Sequence, residues 1–143
     1  MKGRKRHLLV DTLGLVVGAV VHAADVQDRD GAKLVFEKVR FACSRLETVW
    51  ADGGYAGKLV DWVENFAGWK LDIVRRSDKA EGFEVLPHRW IVERTFGWLN
   101  RYRRLSKDYE TLPRTAENLI YIAMINLMLH RLAPEPKHHG YCR

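Results

Sequence analysis

The opening segment of the chain constrains its fold more than any other, because it contains two apolar runs joined by a tight connection. The segment RHLLVDTLGLVVGAVVHAAD spans residues 6–25, and both of its runs are rich in Val and Leu. The DTLG between them offers Asp, Thr and Gly, which are typical turn residues. This pattern predicts a β-hairpin with strands at roughly 7–11 and 15–22.

The middle of the chain alternates between helical and strand-like patterns. The stretch DRDGAKLVFEKVRFACSRL has apolar residues close to helical spacing, with Asp28 or Asp30 as its predicted N-cap. ETVWAD is predicted as a short strand that ends at Asp52, and GGYAG follows as a loop. KLVDWVENFAGW has the pattern of an amphipathic helix that Gly68 ends, and KLDIVRR that of a further strand.

The last part of the chain is mainly helical. The polar stretch SDKAEGFEVLP, residues 77–87, is predicted to be a connector. HRWIVERTFGWLNRYRRL, residues 88–105, is predicted to be one long helix. TLPRTAENLIYIAMINLMLHRL, residues 111–132, is apolar almost all round, and we therefore expect a buried final helix.

The order of these elements is β-β-α-β-α-β-α-α, which predicts a mixed sheet flanked by helices, with two helices at the C-terminal end. The length suits a single domain, which we place at residues 1–133, followed by a C-terminal tail at 134–143. In such sheets, ligands gather at the carboxyl ends of strands. Asp52 lies at one of these ends.

The charge pattern favours a polyanionic partner. The formal net charge is +6, and the basic residues cluster in residues 1–10 and 88–107, on either side of a mildly acidic segment. Nucleic acid is the first candidate for such blocks, although a solvated basic surface gives the same pattern. The candidate DNA-binding residues are Lys2, Arg4, Lys5, Arg6, Arg89, Arg94, Arg101 and Arg104.

Cysteine content and hydropathy exclude several classes of protein. The two cysteines, Cys43 and Cys142, are too few for a disulfide framework, and a reducing cytoplasmic compartment fits them. The longest late apolar stretch, LIYIAMINLML, is shorter than the ~20 residues of a membrane span, so we expect no membrane partner.

Glu93 is the single carboxylate in the predicted helix 88–105, among five arginines. It could form an i,i+4 ion pair with Arg89, which stabilises a helix by only ~0.2–0.5 kcal/mol. Alternatively, it could join Asp52 in binding divalent metal, because carboxylates are the ligands that Mg²⁺ prefers. Two such ions can activate water or a 3′-hydroxyl on a phosphodiester, and nearby arginines can grip the phosphates.

Gly97 lies one turn after Glu93 on the same helical face. A glycine inside a helix costs about 1 kcal/mol relative to Ala, so its presence calls for a reason. It could leave a gap through which a nucleic-acid backbone reaches Glu93, or it could permit close packing of another helix. The full polar stripe is Arg89, Glu93, Gly97, Asn100 and Arg104.

Four stretches resemble, in order, the insertion-sequence transposases of the DDE class, in their insertion-sequence-5-like branch. They are KGRKRHLLVDTLGL, VHAADVQDRDGA, WADGGYAG and RWIVERTFGWLNRYRRLSKDYE, and the resemblance covers about residues 2 to 132. It implies a ribonuclease-H-like fold, two Mg²⁺ ions, and phosphoryl transfer that cuts and joins transposon ends. It also implies a prokaryotic protein that acts at the nucleoid in the cytoplasm.

The resemblance assigns roles to individual residues. Asp52 matches the second catalytic aspartate of the family, Glu93 matches the final glutamate, and both would then bind metal. Arg89 matches the basic residue four positions before that glutamate.

Two positions of the family signature depart from the pattern. Leu86 stands where the family has tyrosine, and Asn100 stands where it has lysine or arginine. Arg101 or Arg104 could replace the missing base.

The family's first catalytic aspartate lies on a strand upstream of KGRKRHLLVD. We therefore expect a catalytic domain that lacks its first strand and that aspartate, and that is inactive alone. Asp11 is instead predicted to be a turn residue of the hairpin. An unpaired strand edge would destabilise the monomer or drive pairing with the upstream transposase segment or with a second copy.

Such a chain could be a second-frame product of a frameshifted gene or a decayed copy. Two alternatives to an active transposase follow. One is a catalytically silent fragment that binds DNA or regulates transposition, and the other is a remnant without function.

Overall fold

The computed structural model of the chain describes residues 3–75 and 88–133. The predicted order of strands and helices is confirmed, whereas the predicted connector and C-terminal tail lie outside the described residues. The elements are β1 Arg4–Val10, β2 Val16–Ala23, α1 Asp28–Val39, β3 Thr48–Asp52, α2 Lys58–Ala67, β4 Lys70–Val74, α3 Arg89–Asn100 and α4 Pro113–Leu132, with 3₁₀ turns at Gly53–Tyr55 and Arg103–Leu105.

The hairpin turn forms because Asp11 folds it locally. Its Oδ1 accepts hydrogen bonds from the backbone N–H groups of Leu13 and Leu15, each at 2.9 Å. Gly14 adopts φ +82°, a left-handed conformation that favours glycine. The prediction that Asp11 is a turn residue is confirmed. The first strand ends one residue before the predicted position, and the second begins one residue after it.

The strands form two separate sheets in the described part of the chain. β1 pairs with β2 antiparallel, and β3 pairs with β4 parallel, with Thr48 opposite Lys70 and Asp52 opposite Val74. The architecture is a mixed α/β one, as predicted. The prediction of a single mixed sheet was wrong for these residues, because β1 and β3 do not pair with each other.

Helix α1 holds the two sheets together. It contacts β1 and β2 on one side and α2 on the other. Its Phe36 and Val39 enter a core with Val49 of β3, Leu59 of α2 and Leu71 of β4. The two sheets therefore share one helical cover although they do not share hydrogen bonds.

The N-terminus of α1 differs from the prediction. Gln27 occupies the N-cap position, and its side chain makes no capping hydrogen bond. Asp28 and Asp30 lie inside the first turn, and Asp28 Oδ1 accepts a 2.9 Å hydrogen bond from Lys5 Nζ. The acids there favour the helix through the macrodipole rather than through a cap.

A second core joins the hairpin to the C-terminal helices. Ala19 and Val21 of β2 pack with Leu99 of α3, Ile120 of α4 and Leu105. Leu105 is only 2% exposed. The α-helix ends before Leu105, and the bend in the chain places this side chain in the core. The prediction of one helix over 88–105 was therefore wrong, since α3 ends at Asn100 and Tyr102 is extended.

Helix α4 is buried on one face only. Ala116, Ile120, Ala123 and Met124 pack inward, chiefly against β2, while the large apolar residues of the opposite face are exposed. The prediction of a helix buried all round was wrong. None of the helices within 3–75 and 88–133 is long and apolar enough to cross a bilayer.

Candidate functional site

A cleft separates the two sheets, and its walls are the facing strands β1 and β3. Two cavities, of about 560 and 310 Å³, lie along it. Both are lined by Leu8 and Leu9 of β1 and by Val49 and Trp50 of β3. Neither of these facing strand edges has a partner strand among the described residues. The cleft therefore exposes unpaired backbone next to apolar side chains.

The smaller cavity brings together the two carboxylates that the sequence nominated. Asp52, at the end of β3, and Glu93, on α3, both line the 310 Å³ cavity. Arg89 lines it as well. Asp52 and Glu93 lie 41 positions apart in the chain, and they share the cavity because α3 and the end of β3 both line it.

Asp52 is exposed and lightly engaged. Its Oδ1 accepts one hydrogen bond, 3.0 Å long, from the backbone N–H of Gly54. The two glycines after it leave the approach open, and a Cβ placed on Gly53 would meet nothing within 4 Å. A carboxylate oxygen has more than one lone pair, so Asp52 retains the capacity to bind a cation.

Glu93 is exposed over 64% of its side chain, and its partner is Arg89. The Nε of Arg89 donates a 3.0 Å hydrogen bond to Glu93 Oε1, which is the i,i+4 pair expected on a helix surface. A Cβ on Gly97 would meet nothing within 4 Å among the described residues. Close packing of another described helix therefore does not explain Gly97, and the space beside Glu93 is open.

Tyr55 is a lining residue of the same cavity that the sequence analysis did not single out. Burial, together with the charges of Asp28 and Asp52, raises the pKa of Tyr55 to about 12. Its hydroxyl lies 2.9 Å from Nδ1 of His7. The phenol of Tyr55 therefore stays neutral beside the carboxylates. In the sequence, the only indication that Tyr55 belongs to this site is its position three residues after Asp52.

The N-terminal basic residues contact the protein itself. Arg6 donates to the carbonyls of Leu105, at 2.7 Å, and Lys107, at 3.2 Å. Arg4 donates to the carbonyls of Glu110 and Thr111. These arginines tie β1 to the segment that follows α3.

The other basic candidates differ in how much they are engaged. Lys5 bonds to Asp28 and to the carbonyl of Val26, and Lys2 lies outside the described residues. Arg104 is not on α3 and forms a 2.7 Å ion pair with Glu110. Arg101 directly follows α3 and is exposed.

Arg94 is held in a stack of aromatic rings. Its guanidinium carbon lies 4.6 Å from the ring centre of Trp90 and 4.7 Å from that of Trp98. Its Nη2 donates a 2.8 Å hydrogen bond to the carbonyl of Leu13. This arginine therefore joins α3 to the hairpin turn.

The donor set of the cavity fits a hard divalent cation in part. Asp52 and Glu93 offer exposed carboxylate oxygens, which suit Mg²⁺. Within residues 3–75 and 88–133, no group of three or more His, Cys, Asp or Glu side chains is close enough to hold a metal ion. Oxygen ligands from water, from a bound phosphate or from other residues would complete the coordination of such an ion.

Comparison with known proteins decides the family. The profile of the family described as "Transposase DDE domain" matches residues 1–128. The chain belongs to this family. Membership connects it with DNA transposition and with the use of divalent metal ions.

A curated relative agrees with this assignment. The chain is 27% identical over 115 residues to a "Putative transposase for insertion sequence element IS402" from Burkholderia cepacia. The match covers 76% of this chain and 54% of the relative, so this DDE-family chain spans about half the length of the protein it matches. No solved structure matches it.

Proposed function

We propose that this chain contributes two of the three acidic ligands of a DNA-cleaving and DNA-joining site in an insertion-sequence-5-like transposase. The observation that carries the proposal is the shared cavity of Asp52 and Glu93. Both side chains are exposed carboxylates at its rim, and family membership supplies the reaction class. The reaction is phosphoryl transfer on transposon-end and target DNA.

Asp52 and Glu93 are the residues that would hold Mg²⁺. A bound metal pair supplies activation of a hydroxyl nucleophile and stabilisation of the leaving oxygen. In the absence of metal, Arg89 orients the Glu93 carboxylate through their 3.0 Å hydrogen bond. The exposed guanidinium of Arg89 would also be available to bind a phosphate, for which its planar fork is suited.

The cleft between β1 and β3 is the proposed place of the third acidic ligand. A strand inserted there would lie ~4.8 Å from each neighbour and would join the two sheets into one ribonuclease-H-like mixed sheet. The apolar walls formed by Leu8, Leu9 and Val49 favour an apolar strand that carries one acid. We propose that an upstream transposase segment supplies it, with a second copy of the chain as the alternative source.

DNA contacts are proposed first for the two exposed cations at the ends of α3. Arg89 and Arg101 are exposed at opposite ends of α3 and can reach phosphates without losing a buried contact. For Arg94, Arg104, Arg4, Lys5 and Arg6, binding DNA would compete with the internal contacts described above. Lys2, at the start of the proposed domain 1–133, completes the set of proposed DNA-binding residues. The protein would act on DNA at the nucleoid.

A silent DNA-binding or regulatory fragment is the second candidate. The observation that favours it is the lack of a three-ligand acidic cluster within the described residues. Such a fragment would bind DNA with strong salt dependence and would not cut it.

The deciding experiment incubates the chain with transposon-end duplexes and Mg²⁺ or Mn²⁺, with and without the upstream transposase segment. The proposal predicts metal-dependent cleavage with the segment present, and its loss in Asp52→Asn and in Glu93→Gln. Asp61→Asn is the matched control, because Asp61 is an exposed carboxylate on α2 outside both cavities.

The other outcomes are equally informative. Binding of the duplexes without cleavage, even with the upstream segment, would support the silent fragment. No binding at low salt would favour a remnant without function. Cleavage that survives both substitutions would remove Asp52 and Glu93 from the mechanism.

A further inference from the structure

Helix α4 presents an apolar seam to solvent on the face opposite its packed one. Ile122, Ile125, Leu129 and Leu132 are 60%, 56%, 58% and 82% exposed. Large aliphatic side chains in such a contiguous row are unusual on a monomer surface and mark an interaction site. None of these residues lines either cavity, so the seam is separate from the carboxylate site.

The spacing of the seam specifies the kind of partner. Its residues follow one another at intervals of three, four and three, which is the a/d pattern of a helical heptad repeat. Side chains at these positions form a row of knobs that fits into the holes of another helix with the same repeat. A second copy of α4 presents that same row.

The polar residues beside the seam are compatible with self-pairing. From Asn118 to Leu132 the helix has no carboxylate, and its basic residues, His130 and Arg131, are near the C-terminus. The guanidinium of Arg131 lies over the ring of Trp98, at 4.6 Å. The seam therefore has no acid to attract a basic partner and no cation within it to bind nucleic acid.

We propose that two copies of this chain associate through α4, antiparallel, around the seam Ile122, Ile125, Leu129 and Leu132. The antiparallel arrangement places the basic C-terminal turns of the two helices at opposite ends of the interface, whereas a parallel one would set them side by side. Burial of both seams, with Met128 at the edge, covers on the order of 1,000 Å², the lower limit for a specific interface. The dimer is isologous, since each copy uses the same surface.

The test is sedimentation velocity of the full 143-residue chain at several concentrations. We expect a dimer for the wild type, a monomer for the double variant Ile125→Lys/Leu129→Lys, and a dimer for the control Leu34→Lys. Leu34 is a comparably apolar, partly exposed residue of helix α1 outside the seam. A wild-type monomer, or a dimer that persists in the double variant, overturns the proposal and in the second case points to the cleft.

Cysteine cross-linking gives a second readout that introduces no charge into the seam. In a background with Cys43→Ser and Cys142→Ser, the antiparallel seam brings position 125 of one copy next to position 129 of the other. Oxidation of Ile125→Cys/Leu129→Cys should give a covalent dimer, and Leu34→Cys should not. Absence of the cross-linked dimer, or equal cross-linking of the control, contradicts the proposed interface.

Discussion

Strand β1 and the exposed face of α3 are both rich in charge, yet the protein uses that charge in different ways. The guanidinium groups of Arg4 and Arg6 on β1 donate to backbone carbonyls about a hundred residues away. On α3, Glu93 is exposed, bonds to its neighbour Arg89 and faces open space at Gly97. A cluster of charge therefore indicates a binding surface only where its charged groups stay exposed and are not held by distant parts of the chain.

Two glycines sharpen the same contrast, and they give the largest expected effect. In α1, a Cβ on Gly31 would lie 2.3 Å from Nε2 of His22 and 2.5 Å from Nε2 of His7, whereas one on Gly97 would touch nothing described. Gly31→Ala should lower the free energy of unfolding by about 3 kcal/mol, as overpacking of a filled site does. Gly97→Ala should raise it by up to about 1 kcal/mol, through helix propensity.

Chemical denaturation of both glycine variants measures this difference directly. If Gly97→Ala were as damaging as Gly31→Ala, the space beside Glu93 would be filled in the folded protein. The openness inferred for the side of α3 that carries Glu93 would then be wrong.

The next largest effect concerns Arg6. Arg6→Met removes two charge-assisted hydrogen bonds to the carbonyls of Leu105 and Lys107, and we expect a loss of about 1.5–3 kcal/mol in unfolding free energy. Arg101→Met, at an exposed site, should change stability by no more than about 0.5 kcal/mol. Urea denaturation compares the two, and equal stability of both variants would show that the β1 arginines are available for other partners.

The pH dependence of stability should report on the buried side of β1. Burial, and secondly the charge of His22, lower the pKa of His7 from its ordinary 6.5, against an opposing effect of Asp28. The unfolded chain then binds a proton that the folded chain does not. The free energy of unfolding is therefore highest above about pH 6.5. It declines as the pH falls below that value, by about 1.4 kcal/mol per pH unit for one proton.

Thermal melts across pH 4.5–7.5, compared with His7→Gln, test this dependence. The variant should show a shallower decline below about pH 6.5, because one depressed histidine pKa is gone. An identical slope in both proteins would mean that His7 is not the group that couples folding to pH.

The smallest expected effect is at Glu93 on α3. Glu93→Gln removes an exposed i,i+4 pair with Arg89 and should change the free energy of unfolding by only about 0.2–0.5 kcal/mol. Urea denaturation is the measurement. A loss above 2 kcal/mol in the free energy of unfolding would make Glu93 a structural residue. Its charge would then serve the fold, as the charges of β1 do.

The sequence predicted those features that depend on local patterns. Periodicity and turn chemistry gave the order of elements, the Asp11 turn and the end of α2 at Gly68, which adopts the left-handed conformation of a C-cap. The motifs also nominated Asp52 and Glu93, which line one cavity.

The errors have a common physical origin, because each depends on contacts between distant residues. The carbonyl acceptors of Arg4 and Arg6 are equally distant in sequence, although DNA binding by these two residues stays a prediction. The end of α3 is set by the burial of Leu105 against the hairpin core. The apolar content of α4 was visible, but hydropathy does not distinguish a face covered by the same chain from one that is exposed.

The central claim is that Asp52 and Glu93 hold the same metal ions, and Mn²⁺ binding followed by electron paramagnetic resonance tests it most directly. With the upstream segment present, either Asp52→Asn or Glu93→Gln should weaken Mn²⁺ binding by at least about tenfold, while Asp61→Asn should not. The double variant should be little worse than either single one. Unchanged Mn²⁺ binding in both single variants would contradict the account.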